Sequence, residues 1–264
     1  DAWCRDHGAI FCVGAAGASH RVVAAKFGYN GWGGKYPPFD LDAQVAERMA
    51  AALAVPCFEQ PMVLEGGAID VNGRGILLTT EQCLLNPNRN PSMNRLATEQ
   101  CLGQALGVDT IVWLGNGIDG DDTDGHVDEL TRFVAERRVV TAIEPNCDDP
   151  NHEPLQENRR RLEAFRFADG GALEIVDLPM PAPLHHRGQR LPASYANFYI
   201  ANDLVLVPEF GVAADTVAAD LLADCFPDRH IVAIDCRHLV VGLGGLHCLT
   251  QQVPAGLSRR SRLP

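Results

Sequence analysis

The stretch Gly117-Ile-Asp-Gly-Asp-Asp-Thr-Asp-Gly-His-Val-Asp-Glu129 is the most informative part of this sequence. It packs acidic side chains and one imidazole between a segment of high β propensity, 110–114, and an apolar run, 130–134. The pattern predicts a loop that enters a strand at His126. Residues i and i+2 of a strand point to the same face, so His126 and Asp128 are expected to project together. An imidazole beside a carboxylate is suited to acid/base chemistry.

Of two simpler interpretations of this stretch, one remains open and the other fails. A cluster of carboxylates is often only a solvated loop. A calcium-binding loop of the EF-hand type would need Gly at its sixth position, where Asp124 stands, so that pattern fails.

Composition excludes several classes of function. The formal net charge is −12, and the largest basic cluster is Arg159-Arg-Arg161, which disfavours nucleic-acid binding. No apolar run reaches the length of a transmembrane helix. The nine cysteines include no C-x-x-C pair, which argues against a zinc site and favours free thiols in a reducing cytoplasm.

The helical patterns recur at regular intervals. Predicted helices begin near residues 40, 92, 153 and 215, and each lies between strands in the order strand-strand-helix-strand. Repeated small sheets with one helix each favour a radial α/β arrangement, with a doubly wound sheet as the alternative. No Gly-x-Gly-x-x-Gly turn lies between a predicted strand and a predicted helix, so nucleotide binding has little support.

Cys248 follows the Gly-rich turn Gly242-Leu-Gly-Gly245. It is a candidate nucleophile, although a buried core thiol is the commoner role for a lone cysteine. The adjacent His247 would point away from Cys248 in an extended segment, so a turn or packing role is expected for it rather than that of a ligand.

Seven motifs together resemble the agmatine deiminase family, which is grouped with the bacterial-type peptidylarginine deiminases. The resemblance covers nearly the whole chain in order. The motifs are Trp3-Cys-Arg-Asp-His-Gly8, Gly31-Trp-Gly-Gly34, Leu64-Glu-Gly-Gly67, Leu84-Leu-Asn-Pro-Asn-Arg-Asn-Pro91, Asp121-Asp-Thr-Asp-Gly-His-Val-Asp128, Ser194-Tyr-Ala-Asn-Phe-Tyr-Ile-Ala-Asn202 and His247-Cys-Leu-Thr-Gln-Gln252.

The resemblance implies a fold of the pentein type, an α/β propeller of five ββαβ blades with the active site on its axis. The chain would form a single deiminase domain, 1–264. The family has a further segment before the Trp3 motif, so the first blade is expected to be incomplete here.

The resemblance also implies a role for particular residues. Cys248 matches the nucleophile, His126 the acid/base, and Asp6 and Asp128 the two carboxylates that bind a guanidinium. The implied chemistry needs no metal and no organic cofactor. The substrate-pocket positions implied are Trp3, Trp32, Glu65 and Asp122. The residue after Asp128 varies within the family, so no role is expected for Glu129.

The implied activity is hydrolysis of agmatine to N-carbamoylputrescine and ammonia, a step of putrescine and polyamine biosynthesis. A small cationic substrate fits an acidic rim formed by Glu65, Asp121, Asp122 and Asp124. The alternatives are the same chemistry on arginine or peptidylarginine, a non-catalytic binding module of the same fold, and a Cys–His thiol protease. No nucleic acid or membrane partner is expected. The oligomeric state stays open, a homo-oligomer included.

Overall fold

The computed structural model describes residues 1–14, 18 and 21–255. The remaining residues of the predicted domain, 1–264, lie outside this description. Among the described residues, no helix combines the length and the apolar character that crossing a bilayer demands.

The described residues form four units of the order strand-strand-helix-strand, as predicted. Their strands are β1 (Ile10–Val13), β2 (Val22–Gly28), β3 (Cys57–Val63), β4 (Asp70–Val71), β5 (Ile76–Thr80), β6 (Thr110–Leu114), β7 (Thr131–Ala135), β8 (Arg138–Ile143), β9 (Glu174–Pro179), β12 (Tyr199–Ile200), β13 (Leu204–Glu209) and β14 (His230–Asp235), while β10 (His185–His186) and β11 (Gln189–Arg190) form a separate hairpin. The helices are α1 (Cys4–His7), α2 (Gly31–Gly34), α3 (Val45–Ala52), α4 (Glu81–Leu84), α5 (Arg95–Leu106), α6 (His152–Ala164) and α7 (Ala214–Cys225).

Every unit has the same sheet topology. The first two strands pair antiparallel, and the second and third pair parallel, as in β4-β5-β6, where Leu77 lies opposite Ile111. A parallel pair needs a crossover, which the long helix of each unit provides. For example, α5 begins at the N-cap Asn94, whose side chain accepts from the Ala97 N–H, and ends at Gly107, which has a φ of 67°.

The four units surround a common cavity of about 620 Å³. The first strand of each unit contributes to its lining. Three apolar clusters lie between neighbouring sheets, as where Phe27 and Met62 of the first unit join Leu77 and Leu102 of the second. This arrangement confirms the predicted radial α/β class. Each of the four units has three strands and a helix, and the described residues contain no fifth unit; the incomplete first blade stays a prediction.

A short helical turn precedes the first strand of each unit. These entry turns are α1 before β1, the 3-10 turn Gly66–Ala68 before β4, the 3-10 turn Val127–Glu129 before β7, and the 3-10 turn Tyr195–Asn197 before β12. The turns contact one another in space. The first turn, α1, contacts the second, and the third contacts both the second and the fourth.

The prediction of a strand beginning at His126 was therefore wrong. The strand begins only at Thr131, because the acidic loop folds back on itself before it. The His126 N–H donates to Asp121 Oδ2 and to Thr123 Oγ1, each at 3.2 Å, which holds the backbone in a turn rather than in a ladder.

Candidate active site

Three of the predicted catalytic side chains converge on the space beside Gly67. A Cβ atom built on Gly67 would lie 2.6 Å from His126 Nδ1, 2.8 Å from Asp6 Oδ1 and 3.0 Å from Asp128 Oδ2. Any side chain at this position would collide with all three groups. Gly67 thus lets the second entry turn approach closely, and its N–H donates to Asp6 Oδ1 at 2.9 Å.

Asp6 is fixed by two donors that come from other parts of the chain. Besides the Gly67 N–H, the indole Nε1–H of Trp32 donates to Asp6 Oδ2 at 2.9 Å. Trp32 has a φ of 54°, a conformation that a bulky residue adopts only under constraint. It is followed by Gly33 and Gly34, both at positive φ. This unusual backbone turns the indole toward the carboxylate.

His126 is buried between two carboxylates. Its Nδ1 lies 3.8 Å from Asp6 Oδ1, and its Nε2 lies 3.9 Å from Glu65 Oε2. Burial by itself lowers the pKa of His126, but the negative charge of Asp6 and the proximity of Glu65 outweigh it and hold the pKa well above its ordinary value. The raised pKa favours the protonated imidazole, the form that can act as a proton donor.

Asp128 lies between His126, Cys248 and His247. Its Oδ2 is 2.7 Å from His247 Nδ1 and 3.8 Å from Cys248 Sγ, while its Oδ1 has no hydrogen-bond partner among the described residues. Burial raises the pKa of Asp128 to about 7, although His126 opposes that shift. An unsatisfied carboxylate oxygen in a buried site is poised to accept from a ligand.

The prediction that His247 points away from Cys248 assumed an extended segment, which the structure does not show. The segment is not an extended strand, since Thr250 N–H donates to the His247 carbonyl at 3.0 Å in a turn. His247 and Cys248 consequently both reach Asp128.

Asn197 holds residues 245–250, the nucleophile segment, in place. Its Nδ2 donates to Cys248 Sγ at 3.2 Å and to Glu129 Oε1 at 2.8 Å, and its Oδ1 accepts from the His247 N–H at 2.8 Å. A Cβ on Gly245 would lie 2.4 Å from the same Oδ1, so this glycine allows the close approach. The side chain of Asn197 therefore positions both the backbone and the sulfur of Cys248.

The environment of Cys248 disfavours a thiolate in the free protein. Burial raises the pKa of Cys248 well above its ordinary value, and the carboxylates of Asp128, Glu129 and Asp6 raise it further. Burial and the charge of Asp128 likewise raise the pKa of Glu129 well above the usual carboxyl range. A positive ligand placed among these groups would shift the balance toward the thiolate.

An open pocket of about 200 Å³ leads to this cluster. Aromatic side chains form one side of it, and the segment 241–244 forms another. Its lining includes Trp3, Asp6, Trp32, Tyr36, Asp122, Thr123 and Cys248. Gly244 is packed against the indole of Trp3, since a Cβ there would lie 2.8 Å from the ring. The hydroxyl of Tyr36 donates to Asp122 Oδ2.

The expected acidic rim is reduced to Asp122. Glu65 is fully buried, pairs with Arg89 Nε at 2.8 Å, and lies behind His126 rather than in the pocket lining. Asp121 accepts from backbone N–H groups of its own loop, and Asp124 pairs with Lys35 at 2.7 Å and with Arg89. Glu65 is thereby a partner of His126, which differs from the pocket role expected for it.

Two buried groups offer donor atoms close enough to hold a metal ion, and both overlap the site. They are Glu65, Cys83 and His126, and Asp128, Glu129 and Cys248. Of these donors, Glu65 is already paired with Arg89 through Oε1.

Sequence reasoning missed His247, Asn197, Glu129 and Tyr36. His247 and Asn197 lie inside motifs that carry the resemblance, and Glu129 directly follows one, yet nothing in their spacing indicates a contact with Cys248. Tyr36 lies just after the Gly31-Trp-Gly-Gly34 motif, and only its aromatic character in a Gly-rich loop offered a signal.

Comparison with known protein families gives a match over nearly the whole chain. The family described as Porphyromonas-type peptidyl-arginine deiminase matches residues 1–254. A Legionella pneumophila (strain Paris) protein, provisionally named an agmatine deiminase, is 38% identical over 255 residues, which cover 96% of this chain and 73% of that protein.

Solved structures agree with the family match. A Porphyromonas gingivalis protein, provisionally named an arginine deiminase, is 40% identical and superposes with a TM-score of 0.92 over 98% of this chain and 77% of its own. The agmatine deiminase of Enterococcus faecalis is 34% identical, with a TM-score of 0.89 over 96% of this chain and 74% of its own.

Proposed function

This chain belongs to the Porphyromonas-type peptidyl-arginine deiminase family, and on that basis we propose that it hydrolyses the guanidinium of agmatine to N-carbamoylputrescine and ammonia. The observation that carries the proposal is the convergence of His126, Asp6 and Asp128 beside Gly67, with Cys248 Sγ 3.8 Å from Asp128. A thiol protease has no use for two carboxylates at its nucleophile, and a binding module has no use for an imidazolium beside a thiol.

Substrate binding would use the two carboxylates. A guanidinium is planar and presents N–H groups in pairs, which carboxylates accept in bidentate fashion. Asp6 is already oriented by Trp32 and Gly67, and Asp128 has an oxygen without a partner among the described residues. Together they would fix the plane of the substrate and present its carbon to Cys248 at near-attack distance.

Substrate charge would activate the nucleophile. Burial and the nearby carboxylates raise the pKa of Cys248 in the free protein. A bound guanidinium brings positive charge to the same carboxylates and favours loss of the thiol proton. The Nδ2–H of Asn197, 3.2 Å from Sγ, would then stabilise the thiolate.

The reaction would proceed in two halves. The thiolate attacks the guanidinium carbon, and the tetrahedral adduct expels ammonia as His126 protonates the departing nitrogen. An amidino-thioether remains on Cys248. Neutral His126 then takes a proton from water, the resulting hydroxide adds to the same carbon, and the C–S bond breaks to release the urea product and the thiolate. One water is consumed and one ammonia is formed.

The far end of the pocket would select agmatine. Agmatine ends in a cationic amine, whereas arginine carries a carboxylate at the same carbon. Asp122 lines the pocket and attracts the first while repelling the second. Deimination of arginine or of peptidylarginine by the same groups is the competing assignment. It is supported by the family description and by the name of the Porphyromonas gingivalis relative.

We also propose a cytoplasmic location, since nine cysteines without a C-x-x-C pair suit a reducing compartment. This part of the proposal rests on composition alone.

The test is a comparison of ammonia and ureido-group formation from agmatine, free arginine and a blocked arginine peptide. Agmatine is expected to give a kcat/KM at least about tenfold above that of arginine, which requires only ~1.4 kcal/mol. Cys248→Ser should abolish turnover, because a neutral hydroxyl is a much weaker nucleophile than a thiolate. Equal rates on agmatine and the peptide would favour the peptidylarginine assignment, and substantial activity in Cys248→Ser would refute the mechanism.

A further inference from the structure

We propose that His247 is a positioning residue, whose neutral imidazole donates through Nδ1–H to Asp128 and thereby leaves the second oxygen of that carboxylate free for the guanidinium. The inference rests on the proposed function and adds a residue to it. The starting observation is the distance of 2.7 Å between His247 Nδ1 and Asp128 Oδ2.

The contact is buried on both sides. His247 is 4% exposed and Asp128 is fully buried, so water does not compete for the hydrogen bond. Asp128 Oδ1 has no partner among the described residues, whereas Oδ2 is engaged by His247. A carboxylate tied at one oxygen has a defined plane, and its other oxygen then points in one direction.

The imidazole is itself held by its own backbone. The His247 N–H donates to Asn197 Oδ1 at 2.8 Å, and the His247 carbonyl accepts from Arg5 Nε at 3.3 Å and from Thr250 Oγ1 at 2.8 Å. These partners come from α1, from the entry turn of the fourth unit and from the nucleophile segment. The position of His247 therefore depends on three separate segments, and through His247 so does the orientation of Asp128.

Burial and the surrounding positive charges favour the neutral imidazole. Burial lowers the pKa of His247 well below its ordinary value, and the positive charges of Arg132, Arg5 and His126 lower it further. Asp128 is the carboxylate in direct contact with it. A neutral donor orients Asp128 without adding a positive charge, which would compete with the cationic substrate for the same carboxylate.

Two substitutions of His247 distinguish the loss of its hydrogen-bond donor from a change in side-chain volume. His247→Leu removes the donor and keeps an apolar side chain of similar size. His247→Asn places its amide nitrogen at the same number of bonds from the backbone as Nδ1 and so keeps a donor. Thermal unfolding of both variants checks that they are folded.

The readout is the alkylation of Cys248 by two reagents. Chloroacetamidine carries an amidinium that Asp6 and Asp128 can bind, whereas iodoacetamide is neutral and depends on the thiol alone. His247→Leu is expected to lose about 10-fold to 100-fold of the preference for the amidine, and a similar factor in kcat/KM, while its iodoacetamide rate stays within about threefold of the original. His247→Asn is expected to recover most of the preference.

An unchanged amidine preference in folded His247→Leu would overturn the proposal. If that variant does not fold, His247→Gln takes its place, because its amide nitrogen lies one bond beyond the Nδ1 position, and the same outcome overturns the proposal. A folded His247→Asn that loses as much preference as the leucine variant would also overturn it. Failure of the proposed function has a different signature, since the unsubstituted protein would then show no amidine preference and release no ammonia from agmatine.

Discussion

Replacing Trp32 by Phe tests whether the orientation of Asp6 limits the reaction. The indole Nε1–H of Trp32 donates to Asp6 Oδ2 at 2.9 Å, and both residues are buried. Phe lacks this donor but keeps an aromatic ring for the edge-to-face contacts with Tyr29 and Tyr36, whose ring centroids lie 5.3 and 5.6 Å away. The substitution thus removes one hydrogen bond and preserves most of the packing.

The size of the effect follows from that bond. A hydrogen bond to a charged group contributes roughly 1.5–3 kcal/mol, and its loss leaves Asp6 held only by the Gly67 N–H. If orientation of Asp6 is needed mainly in the transition state, kcat/KM for agmatine should fall by about 10-fold to 100-fold. Ammonia release under subsaturating agmatine measures the ratio directly.

Trp113→Phe is a matched control. The indole of Trp113 also donates to a carboxylate, Glu99 Oε1, at 2.8 Å, but neither residue lines the 200 Å³ pocket. This variant should keep kcat/KM within about twofold while losing a comparable hydrogen bond. The reasoning fails if Trp32→Phe keeps the original kcat/KM, or if the two variants lose equal activity.

Two further predictions concern carboxylates. Asp122→Asn should raise the KM for agmatine by about tenfold with little change in kcat, because the charge at the far end of the pocket is lost; steady-state kinetics measures this, and an unchanged KM would remove Asp122 from substrate binding. Glu129→Gln should stabilise the protein increasingly as the pH rises from 4 to 8. Burial and Asp128 raise the pKa of Glu129 in the folded protein. Above the ordinary carboxyl pKa, Glu129 is therefore deprotonated in the unfolded chain but still protonated in the folded one. The free energy of unfolding consequently falls as the pH rises. Thermal unfolding at several pH values tests this, and an equal gain at pH 4 and pH 8 would contradict it.

The repeating architecture could be predicted from the sequence because it depends on local patterns. Apolar periodicity and the stop at Gly107 located α5, and the alternation around 133–143 located the β7-β8 hairpin. These signals are carried by neighbouring residues. The motifs of the family added the identity of the residues that converge on the site.

The contacts between the side chains of the site could not be predicted in the same way. Whether His247 reaches Asp128 depends on a turn after Cys248 and on contacts between residues 119 positions apart. Glu65 was expected in the pocket because its charge matches a cationic ligand, but one of its oxygens pairs with Arg89, and the residue is not part of the lining of the 200 Å³ pocket. Such outcomes are set by tertiary contacts that no local pattern encodes.

The entry turns have a consequence for how such a protein can change over evolutionary time. Asp6, Gly67, Asp128 and Asn197 each lie on a turn that precedes the first strand of its unit, outside the paired residues of the sheets. A substitution on a turn therefore changes the chemistry at the centre without breaking a strand pair. New substrates can be acquired one turn at a time, while the sheets that carry the turns continue to fold as before.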